Sequence, residues 1–278
     1  MKSVTRLLLC LSLIASVNSA FADVKITPDV VYGHKDGMAL IYDVFQPEAQ
    51  SNGAGILFMI SGGWFSVWAE PANRLAGFKS MLDAGYTVFA VHHGSAPRFK
   101  VPEAYQDVSR AVRHIKQNAS SHGVDPERLG VTGGSAGGHL SLMLGLDADA
   151  GMADARDAIM RQGNSVAAVV AYFPPVDLRT MTGPNERFPA LEFPSEQAAD
   201  ISPLLLVDPQ DPPTLLIHGD ADDLVNISHS INMAAELQKH GVTSDFITIA
   251  GGGHGFRGAD AEQASAARLA WFNQHLLP

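Results

Sequence analysis

The stretch Gly130-Val131-Thr132-Gly133-Gly134-Ser135-Ala136-Gly137-Gly138-His139-Leu140 joins a short apolar run to a segment of small residues. The run at 129–132 is typical of a buried strand, and the residues after Ser135 are typical of a helix start. A serine at so sharp a strand-to-helix turn must adopt a strained backbone conformation, in which side chains two residues to either side would collide. Because Gly133 and Gly137 remove that collision, the stretch predicts that the Ser135 hydroxyl stands clear of the sheet.

Residues 133–137 match the Gly-x-Ser-x-Gly pattern of the nucleophile elbow in serine hydrolases. The start of the following helix offers backbone N–H groups and the positive end of its dipole to a negative charge that forms near the serine. At ordinary Gly and Ser usage, the pattern occurs by chance in roughly one chain in ten of this length. Its interpretation therefore depends on its position after an apolar strand and on residues further along the chain.

The first 22 residues have the features of a secretory signal peptide. A basic start precedes an apolar run at 7–17, and Ala-Phe-Ala at 20–22 provides a cleavage site. The apolar run is too short for a stable membrane span. Cleavage there would leave residues 23–278, without the only cysteine, Cys10, in a periplasmic or secreted protein with no stable membrane insertion. An uncleaved N-terminal anchor is the alternative.

The composition of residues 23–278 indicates a single acidic domain. Loss of the leader would make the formal net charge of −10 two units more negative, which argues against nucleic acid and anionic lipid as partners. Hydrophobic residues make up 46% of the sequence, enough for one substantial core. No repeat, low-complexity segment or linker rich in Pro, Gly or Ser divides the chain. The composition does not indicate an oligomeric state.

Apolar strands and amphipathic helices alternate along the chain. After a hairpin at 29–45, strands are predicted at 56–60, 86–91, 129–132, 166–172, 214–218 and 245–249. This alternation predicts an α/β fold, with a mostly parallel sheet and helices on both faces. The polar segment 147–163 is expected to form a surface helix. Residues 178–205 have weak periodicity and several prolines, and we expect them to form a short cap over the site.

Three polar residues follow the ends of three predicted strands. Ser135 follows the run at 129–132, Asp222 follows the strand at 214–218, and His254 follows the last strand. In open α/β sheets, ligands bind outside the carboxyl ends of the strands. We therefore expect these side chains to meet there. The order Ser, Asp, His is that of α/β-hydrolases and differs from the orders of the chymotrypsin and subtilisin classes.

The motifs around these residues resemble the esterase and lipase branch of the α/β-hydrolase superfamily. They read Gly-Gly-Ser-Ala-Gly-Gly-His-Leu at 133–140, His-Gly-Asp-Ala-Asp at 218–222 and Gly-His-Gly-Phe at 253–256. The chain is most similar to hormone-sensitive-lipase-like and acyl-carbohydrate esterases, over essentially all of residues 23–278. The resemblance implies an α/β-hydrolase fold and a serine hydrolase, with Ser135, Asp222 and His254 as a catalytic triad.

The chemistry of these groups indicates their roles. A serine hydroxyl alone is a weak nucleophile at neutral pH, so His254 is expected to take its proton and return it to the leaving group. An acid is needed to orient the imidazole and stabilise its cation. The resemblance implies that this acid is Asp222. Of its neighbours, Asp220 is expected to shape the loop and Asp223 is expected to face solvent.

The loop after the strand at 56–60 is expected to supply donors to an oxyanion hole. In the resembling esterases this loop reads His-Gly-Gly-x, whereas here it reads Ser61-Gly62-Gly63-Trp64. Because the donors are backbone N–H groups, serine in place of histidine does not remove them. The expected donors to the oxyanion hole are the N–H groups of Gly63, Trp64 and Ala136. Four side chains are expected to wall the substrate pocket, with packing of the loop as the alternative: Phe65, Trp68, Phe173 and Pro174.

Neither a metal site nor a nucleotide site is indicated. The adjacent pair His92-His93 could not face one ion from a helix, and no carboxylate stands nearby in the sequence. The glycine-rich fingerprints of nucleotide sites are missing as well. The sequence therefore predicts a serine esterase that needs no cofactor and cleaves small-molecule, short-chain carboxylic esters through an acyl-enzyme. A prolyl-oligopeptidase-like serine peptidase and a non-catalytic, ligand-binding hydrolase fold are the alternatives.

Overall fold

The computed structural model describes residues 24–48 and 50–278. The predicted signal peptide at 1–22 lies outside the described residues. Eight strands occur in the described part: β1 (Val24–Lys35), β2 (Met38–Pro47), β3 (Gly55–Met59), β4 (Thr87–Val91), β5 (Leu129–Gly134), β6 (Ala168–Tyr172), β7 (Thr214–Gly219) and β8 (Ser244–Ile249). The same part contains five α-helices: α1 (Leu75–Asp83), α2 (Val101–Gln117), α3 (Ala136–Leu146), α4 (Ser228–Lys239) and α5 (Ala259–Leu276).

The strands form one mixed sheet in the order β1-β2-β4-β3-β5-β6-β7-β8. Strand β1 pairs antiparallel with β2, and β2 pairs antiparallel with β4, whereas the other neighbours are parallel. Asp36 and Gly37 both have positive φ in the turn between β1 and β2, which suits the twist of a two-residue hairpin. The predicted α/β fold with a mostly parallel sheet is confirmed.

Apolar side chains cover both faces of the sheet, because successive residues of a strand point to opposite sides. On β3, Leu57 and Met59 belong to the core beneath α2, α3 and α4, whereas Ile56 belongs to the core beneath α1 and α5. On β5, Gly130 lets α5 approach closely: an added Cβ there would lie 2.6 Å from the ring of Phe272. Helices therefore flank the sheet on both faces, as the sequence predicts.

Helix α3 is the most enclosed helix, since all its residues from Ala136 to Leu146 are buried. A helix that is apolar on every side belongs inside a protein. Its glycines permit this position: a Cβ on Gly138 would lie 2.8 Å from the carbonyl oxygen of Tyr172. The helix that follows the sharp turn is thus fixed against the carboxyl ends of β5 and β6.

Residues 147–163 do not form the surface helix that their polarity suggested. They are irregular apart from a short 3-10 turn, Ala158–Arg161. Arg113 of α2 donates to the Asp149 carboxylate and to the Gln162 carbonyl, and so ties the two ends of the segment together. These tertiary contacts determine the conformation in place of local periodicity.

Residues 178–205 lie above the carboxyl ends of the strands and contain only short 3-10 turns, at Pro189–Leu191, Ser195–Gln197 and Pro203–Leu205. Buried side chains such as Leu191 and Ile201 anchor the segment. We refer to residues 178–205 as the cap. None of the helices within residues 24–48 and 50–278 is long and apolar enough to span a membrane.

The close approach of β5 and α3 generates a stability prediction. A Cβ on Gly133 would lie 2.6 Å from the backbone of Gly137, so Gly133→Ala should lower the free energy of unfolding by about 1–3 kcal/mol. Gly77 of α1 is a matched control, because a Cβ there meets no atom within 4 Å. Gly77→Ala should raise the same quantity by up to ~1 kcal/mol through helix propensity. Urea denaturation measures both, and equal stability of the two variants would contradict this packing.

Candidate active site

Ser135 occupies the turn between β5 and α3 in a strained backbone conformation. Its φ is 55° and its ψ is −120°, a region that side-chain-bearing residues rarely adopt. The backbone N–H of Ser135 donates to the Tyr172 carbonyl at 2.9 Å, and its own carbonyl accepts from the N–H of His139. The turn is thus held from both sides by backbone hydrogen bonds.

The structure brings Ser135, His254 and Asp222 into one hydrogen-bonded chain. The Nε2 atom of His254 lies 3.0 Å from the Ser135 Oγ, and its Nδ1 atom lies 2.8 Å from Oδ2 of Asp222. The three residues follow β5, β8 and β7, whose carboxyl ends meet at one edge of the sheet. The arrangement can move a proton from a hydroxyl to an imidazole whose other nitrogen faces a carboxylate.

The carboxyl group of Asp222 is enclosed and well supplied with donors. Its Oδ1 accepts from the backbone N–H groups of Leu224 and Val225, each at 2.9 Å. Burial by itself raises the pKa of this carboxyl, but the N–H of Val225 and the imidazole of His254 outweigh burial and leave the pKa below its usual value. Asp222 is therefore ionised at neutral pH.

The two neighbouring carboxylates lie elsewhere. Asp220 accepts from the backbone N–H of Gly251 at 2.6 Å and so joins the loops after β7 and β8. Asp223 is exposed. Of the three acidic residues in this loop, Asp222 alone contacts His254 within the described part of the chain.

Two further residues, His218 and Phe173, contact the hydrogen-bonded side chains. The buried His218 lies 2.7 Å from the Ser230 hydroxyl and 2.8 Å from the Val225 carbonyl, and burial lowers its pKa. Phe173 packs its ring against the imidazole of His254, with ring centroids 4.6 Å apart. Phe173 also has a positive φ of 36°, which marks a second strained residue beside His254.

The loop after β3 forms a tight turn at its tip. Gly62 and Phe65 exchange two backbone hydrogen bonds of 3.0 Å, and the residues between them, Gly63 and Trp64, have φ values of 57° and 59°. The N–H groups of Gly63 and Trp64 make no hydrogen bond to any described residue. Both residues line the same small cavity as Ser135. Ala136, the third predicted donor, begins α3.

A buried imidazole fixes this loop. The indole N–H of Trp64 donates to Nδ1 of His139 at 3.4 Å, and the Nε2–H of His139 donates to the Ile201 carbonyl at 2.9 Å. Burial lowers the pKa of His139 to about 4, so the ring is neutral. His139 thereby joins the loop, α3 and the cap. Its position four residues after Ser135 places it on the same side of the helix.

The cavity at Ser135 has a volume of about 40 Å³. Its lining comes from the loop after β3, the turn at Ser135, the segment after β6, the cap and the segment after Asp222: Gly63, Trp64, Ser135, Pro175, Met181, Phe188, Leu224 and Val225. Cap residues Met181 and Phe188 escaped the sequence analysis, because the cap has no periodicity from which to infer their direction. The only feature of the sequence that indicated their role was their position in a proline-containing segment after a strand.

The four side chains predicted to wall the pocket do not line this cavity. Trp68 is exposed, and its indole N–H donates to Asp29 at 3.2 Å. Phe65 is half-buried and packs against the core beneath α2. Phe173 packs behind His254, and Pro174 packs against Gly138 of α3. These residues were predicted because they are apolar and lie near the site in the sequence. The direction of their side chains, however, depends on the conformation of the loops.

Ser61, which replaces the usual loop histidine, contacts a histidine from the next strand. Its Oγ lies 2.9 Å from Nε2 of His93, and Nδ1 of His93 lies 2.9 Å from the Gly94 carbonyl. Since a carbonyl only accepts, Nδ1 carries the proton and the Ser61 hydroxyl donates to Nε2. Burial lowers the pKa of His93 to about 4. An imidazole is thus supplied to the loop from the end of β4.

The sequence analysis considered His93 only as a poor metal ligand and missed this role. The signal was present: a serine where a histidine is expected, and a histidine after the neighbouring strand. No group of three or more His, Cys, Asp or Glu side chains is arranged to hold a metal ion in the part of the chain that the structure describes.

The contact between Ser61 and His93 generates a prediction. Ser61→Ala leaves the buried Nε2 of His93 without a donor, so the free energy of unfolding should fall by about 1–3 kcal/mol. Ser120→Ala, at an exposed serine, should change it by less than ~0.5 kcal/mol. Urea denaturation compares the two variants. If Ser61→Ala is as stable as Ser120→Ala, the hydrogen bond does not support the loop.

Comparison with known proteins finds similarity to an esterase family and to individual esterases. The BD-FAE family model matches residues 42–237. Esterase LipQ of Mycobacterium tuberculosis (strain ATCC 25618 / H37Rv) is 25% identical over 235 residues, which cover 78% of this chain and 54% of LipQ. The chain thus spans about half the length of that relative.

Solved structures are similar over nearly the whole chain. A truncated form of a carbohydrate esterase from gut microbiota is 28% identical, with a TM-score of 0.75, and the match covers 92% of this chain and 98% of that one. Thermogutta terrifontis esterase 2 phosphonylated by cyclosarin is 25% identical, with a TM-score of 0.72 and coverage of 91% and 94%. The predicted place in the esterase and lipase branch is confirmed. Because the family model matches more than half of the sequence, this protein belongs to the BD-FAE family and has an α/β-hydrolase fold.

Proposed function

We propose that the protein is a secreted or periplasmic serine esterase that hydrolyses short-chain carboxylic esters of small molecules through an acyl-enzyme. The observation that carries the proposal is the hydrogen-bonded chain from Asp222 through His254 to Ser135, with distances of 2.8 and 3.0 Å. Membership of the BD-FAE family and the likeness to a carbohydrate esterase support the ester chemistry. The signal-peptide features of residues 1–22 support the location.

In the first half of the reaction, the Ser135 Oγ attacks the ester carbonyl carbon while His254 takes the hydroxyl proton. The carbonyl oxygen becomes an oxyanion, and the donors proposed to stabilise it are the N–H groups of Ala136, Gly63 and Trp64. Asp222 keeps its negative charge and stabilises the imidazolium ion. The C–O bond to the leaving group then breaks, His254 gives its proton to the alkoxide, and the acyl group stays on Ser135.

In the second half, a water molecule attacks the acyl carbon and His254 takes one of its protons. The bond to the Ser135 Oγ breaks, and His254 returns the proton to that oxygen. The carboxylic acid leaves and the free enzyme is restored. Side chains and backbone groups of this protein assist every step in which a bond forms or breaks. The proposed reaction therefore needs no cofactor.

The dimensions of the cavity favour short acyl groups. The space beside Ser135 measures about 40 Å³ and is lined by Trp64 and Phe188, from which we infer room for a methyl or ethyl group. Gly63 lies against Phe188, since a Cβ on Gly63 would come within 2.9 Å of that ring. A longer chain therefore needs Phe188 to move.

Labelling with a fluorophosphonate probe tests the proposed nucleophile. Such a probe reacts with an activated serine, and Thermogutta terrifontis esterase 2 has been solved phosphonylated by cyclosarin. We expect the wild-type protein to be labelled, Ser135→Ala to be unlabelled and the exposed-serine control Ser120→Ala to be labelled. Absence of labelling in folded wild-type protein would overturn the esterase mechanism and favour a ligand-binding role.

Substitution of Asp222 tests its proposed role as the acid that orients His254. Asp222→Asn should lower kcat for an aryl acetate by about 10³–10⁴-fold, because an amide fixes the wrong tautomer of His254. Asp223→Asn removes a charge from the adjacent, exposed residue and should leave kcat within a factor of about two. If both substitutions have the same effect, Asp222 is not the acid.

Acyl-chain preference tests the cavity. We expect kcat/KM to fall from 4-nitrophenyl acetate to the octanoate ester, and Phe188→Ala to raise the octanoate-to-acetate ratio about tenfold by removing the ring that closes the space. Phe246→Ala, at a half-buried ring on β8, is the matched control and should leave the ratio unchanged. A wild-type preference for octanoate would contradict the inferred pocket.

The peptidase alternative is tested with a proline-containing anilide in the same assay. An esterase with this pocket should hydrolyse the aryl acetate and leave the anilide intact. Efficient cleavage of the anilide, lost in Ser135→Ala, would replace the esterase proposal with a peptidase.

A further inference from the structure

A second concave surface is lined by Phe173, whose ring also packs against the imidazole of His254. It is a groove of about 510 Å³ between α1 and α5, at the carboxyl ends of β3, β5 and β6. Its walls are largely aromatic, from Phe58, Tyr172, Phe173 and Phe256. The proposed ester reaction uses none of this space, because the cavity lined by Ser135 is separate.

Arg268 of α5 lines this groove and is only 5% exposed. One of its terminal nitrogens donates to the hydroxyls of Ser265 and Ser80, at 3.1 and 3.4 Å. Its Nε has no hydrogen-bond partner in the part of the chain that the structure describes. Nor does the guanidinium form an ion pair with any described carboxylate: Glu262, which also lines the groove, is exposed and does not contact it.

A buried cation without a counter-ion is costly, because hydroxyl groups compensate little of the lost hydration of a full charge. The ring of Tyr172 lies 6.0 Å from the guanidinium carbon, at the limit of a cation–π contact. The groove is thus lined by an arginine that has no counter-ion among the described residues, and by aromatic side chains. An anionic group on a flat apolar body matches both features.

We propose that this groove binds a small aromatic carboxylate, with its carboxylate on Arg268 and its ring among the aromatic walls. The planar guanidinium fork matches a carboxylate in geometry and charge. A single arginine balances one negative charge, which favours a monoanion over a doubly charged phosphate. The site is distinct from the proposed ester site, and its occupancy does not depend on catalysis.

Phe173 connects the two sites. Its ring packs against the imidazole of His254, and the same residue lines the groove. It also covers Gly134, since a Cβ there would lie 3.1 Å from the ring. The positive φ of Phe173 marks a strained position, and such positions cluster at ligand sites. A ligand in the groove therefore contacts the residue that supports His254.

Calorimetric titration of the Ser135→Ala protein with benzoate tests the proposal independently of catalysis. Benzamide is the matched neutral probe, since it has the same ring and size without the charge. We expect saturable binding of benzoate at one site, and affinity for benzamide at least about tenfold weaker. Absence of saturable benzoate binding, or equal binding of the two probes, would overturn the proposal.

Substitutions in the same Ser135→Ala background locate the site. Arg268→Gln should weaken benzoate binding at least about tenfold, whereas Arg156→Gln, which removes an exposed positive charge, should leave it unchanged. Gly77→Phe fills the groove while keeping Arg268. A Cβ at Gly77 meets no atom within 4 Å, and urea denaturation checks that the variant is folded. We expect this variant to lose binding as well. Benzoate binding that survives Gly77→Phe would overturn the assignment to the groove.

Discussion

The backbone conformation of Ser135 is the constraint on which the rest of the site depends. With φ at 55°, the chain leaves β5 and enters α3 within one residue, and the hydroxyl lies 3.0 Å from Nε2 of His254. This turn is possible because Gly133 and Gly137 lack side chains where their backbones meet. The strain is balanced by the enclosed position of α3 and by the hydrogen bond from Ser135 to Tyr172. The Ser135 side chain and the start of α3 are therefore positioned by one feature.

Around this turn, neutral histidines hold the loops in position. Burial lowers the pKa values of His93, His139 and His218, so each ring has one donor nitrogen and one acceptor nitrogen at neutral pH. His93 accepts from Ser61 and His139 accepts from Trp64, while His218 lies beside the loop of Asp222. Such rings determine loop geometry without adding charge. His254 differs from them because it is only half-buried and lies between the Ser135 hydroxyl and the Asp222 carboxylate.

The sequence predicted the parts of the protein that local patterns determine. Strands, the hairpin and the glycine-flanked Ser135 follow from apolar runs and from turn chemistry within a few residues. The pocket walls could not be predicted in this way: Phe188 reaches the cavity from a cap without periodicity, while Trp68 turns outward to Asp29. The helix expected at 147–163 was wrong because contacts from Arg113, distant in sequence, override its local preference. Long-range side-chain pairs leave no short-range signal.

The bonds of His139 have a consequence for the dynamics of the site. One imidazole joins Trp64 of the loop to Ile201 of the cap, and it does so from within the buried helix α3. Neither segment can move away without leaving a buried nitrogen unpaired, and α3 itself opens only with the core. We therefore expect loop, cap and helix to open as one cooperative unit, with the cap acting as a wall of the site and not as a hinged lid.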